Sequence, residues 1–474
     1  MHEHLSLCVA SKRLPGKRSV RAIKLAAIAA CLVAMLISSA GAQERSPDLR
    51  EQPYAGPLMP ELATATKKPV VMPGTLVIPT TSQLNAADHG RKAHTNVRYI
   101  VPATASPLVA PPYSGDEYET PQSLACIYGV VTAVAGCNPN VTTNTPAGGS
   151  QTIAIVDAFD DPEAAADLAY FSAQFGLPFS PSTFQVVYAS GFAPEVDPTG
   201  GWELEEALDI EYAHAMAPNA KLYLVEANSN SDNDLITAVI VAADLVQCGK
   251  TTTCPTGSTG KGEISMSWGS AEYSGQTVSD AAFNATNVVY VASAGDAPGV
   301  SWPCASPNVV CAGGTSTARS LATGNLEQEI AWSDAGGGVS AYEAVPTYQS
   351  TYAPISTMVG TKRGTPDISS DANPNTGVWV YDTFPMDYGY SWYTWLPVGG
   401  TSVSAPTITG IINAAGHFAV SSAAELSTIY ANRANAADYF DVTYGYCGYY
   451  SGSVSTTGWD LCTGVGTPRG LAGK

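Results

Sequence analysis

Thr152-Ile153-Ala154-Ile155-Val156-Asp157-Ala158-Phe159 is a short, largely apolar run, and the amphipathic stretch from Pro162 to Phe175 follows it. The pattern recurs when Lys221 to Ala227 precedes Asp232 to Val246. Glu263 to Gly269 and Val288 to Gly295 are further β-rich runs. Buried strands spaced by helices predict βαβ units, which close into an α/β fold: a mostly parallel central sheet with helices on both faces. Residues 119–474, about 360 in number, read as one large domain of this class.

Apolar residues make up 45% of the chain and charged ones only 13%, against a usual charged share of about 25%. This composition describes a globular chain. The net charge of −19 argues against nucleic-acid or anionic-membrane partners, which call for a basic face. At the N-terminal end, Lys12, Arg13, Lys17, Arg18, Arg21 and Lys24 precede an apolar stretch from Leu25 to Ile37 and the small residues Ser38 to Ala42. Residues 1–42 read as an export signal, too short in its apolar part to be a membrane anchor. The expected location is secreted or periplasmic. Eight cysteines remain after it, in four sequence-near pairs: Cys126 with Cys137, Cys248 with Cys254, Cys304 with Cys311, and Cys447 with Cys462. In an exported protein this suggests local disulfides.

Residues 43–112 hold 11 prolines and show no clear period. They carry seven basic residues against five acidic, whereas the chain from residue 113 carries nine against 35. A slightly basic leader on a very acidic body suits an inhibitory prosegment, here bounded at 43–118, because complementary fields help it dock. The same composition also suits a Pro-rich linker. Pro111 to Asp116 reads as an exposed turn, so processing is expected near residues 112–119.

Chemistry is suggested by Gly399-Gly400-Thr401-Ser402, followed by an apolar helical run to Ala415. Glycines that deliver a serine to a helix N-terminus expose its hydroxyl, and backbone N–H groups there can face an oxyanion. A helix N-cap explains the same residues. A serine nucleophile needs a base. His417 lies 15 residues further along the helix, about 22 Å away, and His89 and His94 fall in the leader. His214 lies in the run Glu203 to Ala215 with Glu203, Glu205, Glu206, Asp209 and Glu211. Five acids in nine residues ordinarily mark a solvated helix face. Glu205 and Asp209 nevertheless stand one turn apart on one side, where like charges repel. Two such carboxyls hold one proton between them, and the ionised member can accept a serine proton.

Glu205 to Glu211 with Ala215 to Lys221 resembles the helix segment of the sedolisin family, the serine-carboxyl peptidases. Gly400-Thr401-Ser402, Ser293-Ala294-Gly295-Asp296, Pro366 to Asp371, and Asp441-Val442-Thr443 with Gly458 to Gly464 are similar to further family motifs, in the same order. The resemblance covers about residues 119–470. It implies a subtilisin-like fold and an acid-acting endopeptidase, monomeric, with protein or peptide substrates and its own prosegment as inhibitor. It further implies Ser402 as nucleophile, Glu205 as general base, Asp209 as its supporting carboxyl and Asp296 in the oxyanion hole. Asp441 and Asp460 would be side-chain ligands of a calcium ion, completed by water and the carbonyls of Val442, Gly458 and Thr456. Two features depart from the family pattern. The leader is short, and Ala297-Pro298-Gly299 follows Asp296 where serine and glycine are usual.

Two other readings stand beside this one. Thr152 to Asp157 and Gly400 to Ser402 also resemble a histidine-dependent subtilisin-like peptidase, although His214 lies about 140° round the helix from Asp209. An extracellular binding protein could keep the fold without catalysis.

Overall fold

The computed structural model describes residues 74–102, 110–112, 117–248, 259–320, 322–386, 394–448 and 452–474. The expected signal, the leader up to residue 73 and the 113–116 part of the expected processing turn lie outside these residues. The principal elements begin with β1 (Gly74–Val77), β2 (His94–Thr95) and β3 (Arg98–Pro102). There follow β4 (Thr152–Ala158), α1 (Ala164–Phe175), β5 (Phe184–Tyr188), α2 (Gly201–Met216), β6 (Lys221–Ala227) and α3 (Asp232–Val246). The second half holds β7 (Gly262–Met266), β8 (Trp268–Ala271), β9 (Val288–Ser293), β10 (Val310–Arg319), β11 (Leu326–Ala331), β12 (Ile368–Asp371), β13 (Val378–Tyr381), β14 (Trp395–Gly399) and α4 (Thr401–Ala415).

The main sheet has eight strands in the order β11-β10-β9-β7-β4-β6-β5, with β12 also on β10. Every pairing in it is parallel except β10 with β11. Side chains alternate across a strand, so β4 feeds two cores. Ala154 and Val156 pack with Leu235, Ala238 and Val239 of α3, while Ile153 and Ile155 pack with Leu168 of α1 and Ile210 and Ala213 of α2. Burial of each Ile or Leu contributes roughly 1.5–3 kcal/mol. The expected α/β architecture with helices on both faces is therefore the one observed.

Helix α3 starts where Ser231 caps it, accepting from the Asp234 N–H. Helices α2 and α4 lie against each other at Gly410, where a Cβ would stand 2.6 Å from the Met216 Cβ and 2.8 Å from the Ala213 carbonyl oxygen. Only a residue without a side chain allows that approach. It brings together the two helices that carry the candidate serine and carboxyls.

Two features differ from the sequence reading. The run from Glu263 to Gly269 is two strands, broken at Ser267. The leader also contributes to the body of the fold. Strand β3 joins a four-stranded antiparallel sheet in the order β1-β3-β14-β13, and β2 pairs antiparallel with β8. Ala93, Val97, Tyr99 and Ile100 are buried. Three expected disulfides are present, Cys126–Cys137, Cys304–Cys311 and Cys447–Cys462. Cys254, the expected partner of Cys248, lies outside the described residues.

Candidate active site

Ser402 is the second residue of α4, and Gly400 precedes the helix at φ 112° and ψ 161°, a conformation open to glycine. The serine is thus inside the first turn and does not cap it. It is fully buried, with Oγ donating to the Ser267 carbonyl at 3.2 Å and its N–H donating to the Asn96 carbonyl at 3.1 Å.

All sixteen residues of α2 are buried, including Glu203, Glu205, Glu206, Asp209 and Glu211. The expectation of a solvated acidic face fails here. The tertiary fold packs α2 against the sheet, α1 and α4, and the carboxyls adapt by holding protons. Asp209 Oδ1 accepts from the Ser267 hydroxyl at 2.8 Å, so Ser267 touches both the candidate serine and the candidate dyad. Neither Glu205 oxygen accepts a hydrogen bond of good geometry, although the nearby Ser402 hydroxyl favours its ionised form. Burial pushes Glu205 well above the usual carboxyl range, with the charge of Asp157 acting in the same direction. Burial, then Asp157, then Glu205 raise Asp209 likewise. The acid nearest in effect to both is therefore Asp157, at the end of β4, itself raised by burial to about 8. The sequence reading gave Asp157 no part in the dyad. Its place at the carboxyl end of a parallel strand, where sites gather in such sheets, was the available signal.

Asp296 follows β9. Its Oδ1 accepts from the Thr401 N–H at 2.8 Å and from the Thr401 hydroxyl at 3.0 Å, so it is tied to the head of α4 and not to a turn of its own. Its Oδ2 has no hydrogen-bonded partner. Burial raises its pKa to about 7, against the opposing Arg98 guanidinium, whose Nε lies 3.7 Å from Oδ2. Asn96 and Arg98 entered the sequence reading only as part of the leader, and no local motif marks them.

His214 takes a different neighbourhood. It packs edge-on to Phe179 at 5.7 Å, and burial lowers its pKa to about 4. The His94 Nε2 lies 3.5 Å from Asp88, and His417 lies 3.9 Å from Glu425.

Near the C-terminus, Asp441 Oδ2 accepts from the Gly458 N–H at 2.9 Å and Asp460 Oδ2 from the Thr456 N–H at 2.8 Å. Both carboxylates thereby converge on one short loop, which the Cys447–Cys462 bridge pins. Val442 is buried there, whereas Thr456 and Gly458 are exposed. Among the described residues no three His, Cys, Asp or Glu side chains converge as metal ligands. A cation at this loop depends on two carboxylates plus backbone carbonyls, an all-oxygen set of the kind Ca²⁺ takes, and the residues fit it.

No protein-family model matches the chain. Kumamolisin from Bacillus sp. (strain MN-32) is 31% identical over 365 residues, covering 68% of this chain and 59% of that protein. Sedolisin from Pseudomonas sp. (strain 101) is 26% identical over 405 residues, covering 79% and 63%. The chain therefore spans about three fifths of the length of these relatives. A solved structure of Pseudomonas sedolisin, a serine-carboxyl proteinase complexed with two molecules of pseudo-iodotyrostatin, matches with a TM-score of 0.58 at 23% identity, over 74% of this chain and 95% of that one. That match bears on the fold.

Proposed function

The chain belongs to the sedolisin family, and on that premise we propose that it is an exported, acid-acting serine-carboxyl endopeptidase. The observation that carries this reading is the meeting of Ser402, at the head of α4, with the buried carboxyls Glu205 and Asp209 on α2, bridged by Ser267. Ser402 Oγ attacks the scissile carbonyl, and Glu205 takes its proton once the coupled Glu205–Asp209 pair, whose pKa values burial raises, has lost one of its own. Asp209 shares the charge that Glu205 gains and loses. Asp296, neutral below about pH 7, donates to the developing oxyanion through Oδ2, opposite the Ser402 N–H. A carboxylate there would repel the oxyanion.

Asp441 and Asp460, with the carbonyls of Val442, Thr456 and Gly458, would hold one calcium ion, whose part is to stiffen the loop. The disulfides support an oxidising location, outside the cell or periplasmic. Substrates are proteins or peptides, the leader is an inhibitor, and the working form is a monomer.

Digestion of acid-denatured protein at about pH 4 tests the reading. Ser402→Ala, Glu205→Gln and Asp209→Asn should each lose at least about 10³-fold. A folded wild-type protein with no hydrolysis would leave the binding-protein reading in its place.

A further inference from the structure

The part of the leader nearest Ser402 runs through the site as an extended peptide. On one edge, β2 pairs antiparallel with β8, His94 opposite Gly269 and Thr95 opposite Trp268. On the other, Lys92 bridges Ser231, the Ala93 N–H donates to the Asn230 carbonyl, and the Asn230 side-chain amide donates to the Ala93 carbonyl, both at 2.9 Å. A chain held by main-chain bonds on both edges is bound as a recognised peptide is bound, by strand addition.

What this strand presents to the serine is one particular carbonyl. The Asn96 oxygen receives the Ser402 N–H, the donor assigned above to the oxyanion. It lies over Gly400, where a Cβ would fall 1.9 Å from it and 2.7 Å from Asp296 Oδ2, so the carbonyl and the acid crowd the same point. Beyond the bond, the chain passes to another sheet. The Val97 carbonyl accepts from the Ser82 hydroxyl at 2.8 Å, Arg98 pairs with Gly399, and Tyr99 pairs with Val398. The Asn96–Val97 bond is thus stretched between two anchored strands. The Asn96 side chain is itself enclosed, 5% exposed, and its amide donates to Ser293 Oγ at 2.7 Å.

We propose that residues 91–97 are the enzyme's own first substrate, cut between Asn96 and Val97, and that the pocket ending at Ser293 selects a carboxamide side chain before the cut bond. This rests on the peptidase reading above. It moves processing upstream of the expected turn at 112–119. In the step, Ser402 Oγ bonds to the Asn96 carbonyl carbon and gives its proton to Glu205. The C–N bond to Val97 breaks, and the Val97 amine takes that proton. Water then attacks the ester, passing a proton through Glu205 back to Ser402 and leaving Asn96 with a carboxyl group. An apolar side chain in place of Asn96 would strand the buried Ser293 hydroxyl, which is how hydrogen-bonding pockets reject such residues.

The test has two arms. The full chain and its Ser402→Ala variant are held at about pH 4 and their new termini read by mass spectrometry. Expected is a fragment ending at Asn96 and one beginning at Val97, from the wild type alone. In the second arm the processed enzyme receives the peptide Arg-Lys-Ala-His-Thr-Asn-Val-Arg-Tyr-Ile-Val-Pro, matching residues 91–102, and the same peptide with Asn96→Leu. Cleavage after Asn should be at least 10-fold faster in kcat/KM. An enzyme that digests denatured protein but leaves the 96–97 bond whole, or whose first terminus falls at 112–119, overturns the cleavage site and leaves the peptidase reading standing. Equal rates for the two peptides overturn the pocket. A folded wild type that cuts neither denatured protein nor peptide removes both readings.

Discussion

Arg98 holds Asp296 from two sides: its guanidinium donates to the Asp296 backbone carbonyl, and its Nε lies 3.7 Å from the carboxylate. The leader thereby supplies a positive charge that opposes the effect of burial on this acid, whose pKa stands near 7. Replacing Arg98 with Met removes that opposition and moves the Asp296 pKa upward. The alkaline limb of the pH–rate profile should then shift to higher pH. Asp296→Asn should lose roughly 10²-fold at the optimum and decline less steeply toward neutrality, since an amide donates at any pH. An Asn variant with the wild-type rate and profile would take Asp296 out of the mechanism.

His214 should be dispensable for turnover. It rests against Phe179 with its proton lost above about pH 4. His214→Ala should lower stability by roughly 2 kcal/mol through the cavity it leaves and change kcat/KM by less than about threefold. A folded variant slowed 100-fold or more would restore the histidine-dependent mechanism.

Stability should fall as pH rises. Burial raises Glu203 to about 9, Asp157 to about 8 and Asp161 to about 7, whereas the unfolded chain releases these protons near pH 4. Because the folded state binds more protons, this contribution is whole below about pH 4 and is lost progressively up to about pH 9. Urea midpoints at pH 4, 6 and 8 should decrease in that order. A midpoint that climbs with pH would mean that these carboxyls are ionised in the folded protein.

Calcium at the C-terminal loop should appear as a chelator effect. EDTA should lower the melting temperature by about 5 °C, as expected for a ligand bound by the folded state alone. Asp460→Asn should abolish the difference between metal-loaded and chelated protein. An unchanged melting curve together with a metal-free elemental assay would refute the site.

Helix α3 runs over the same residues, 232–246, as its apolar period indicates, and β4 begins at the expected Thr152. Such elements are legible because each buries a regular stripe. The acids of α2 were harder to read, since charge on a helix ordinarily reports solvent, and only the surrounding fold reveals enclosure. The break at Ser267 lay inside a run that looked like one strand. Least legible was the path of residues 91–98: β2 has two residues, too few to carry a period, and the Asn230, Gly269 and Ser293 partners that hold this segment in the site lie more than 130 positions away.

Ser402, Glu205 and Asp209 all sit in helices buried along nearly their whole length and pressed together at Gly410. No fraying loop carries any of the three. In hydrogen-exchange terms, the amides around Glu205 and Asp209 belong with the slowest class, those that open only when the whole molecule does. The serine and the two carboxyls therefore have no earlier point of failure than the fold itself: on heating, they should part only at the midpoint at which the structure is lost.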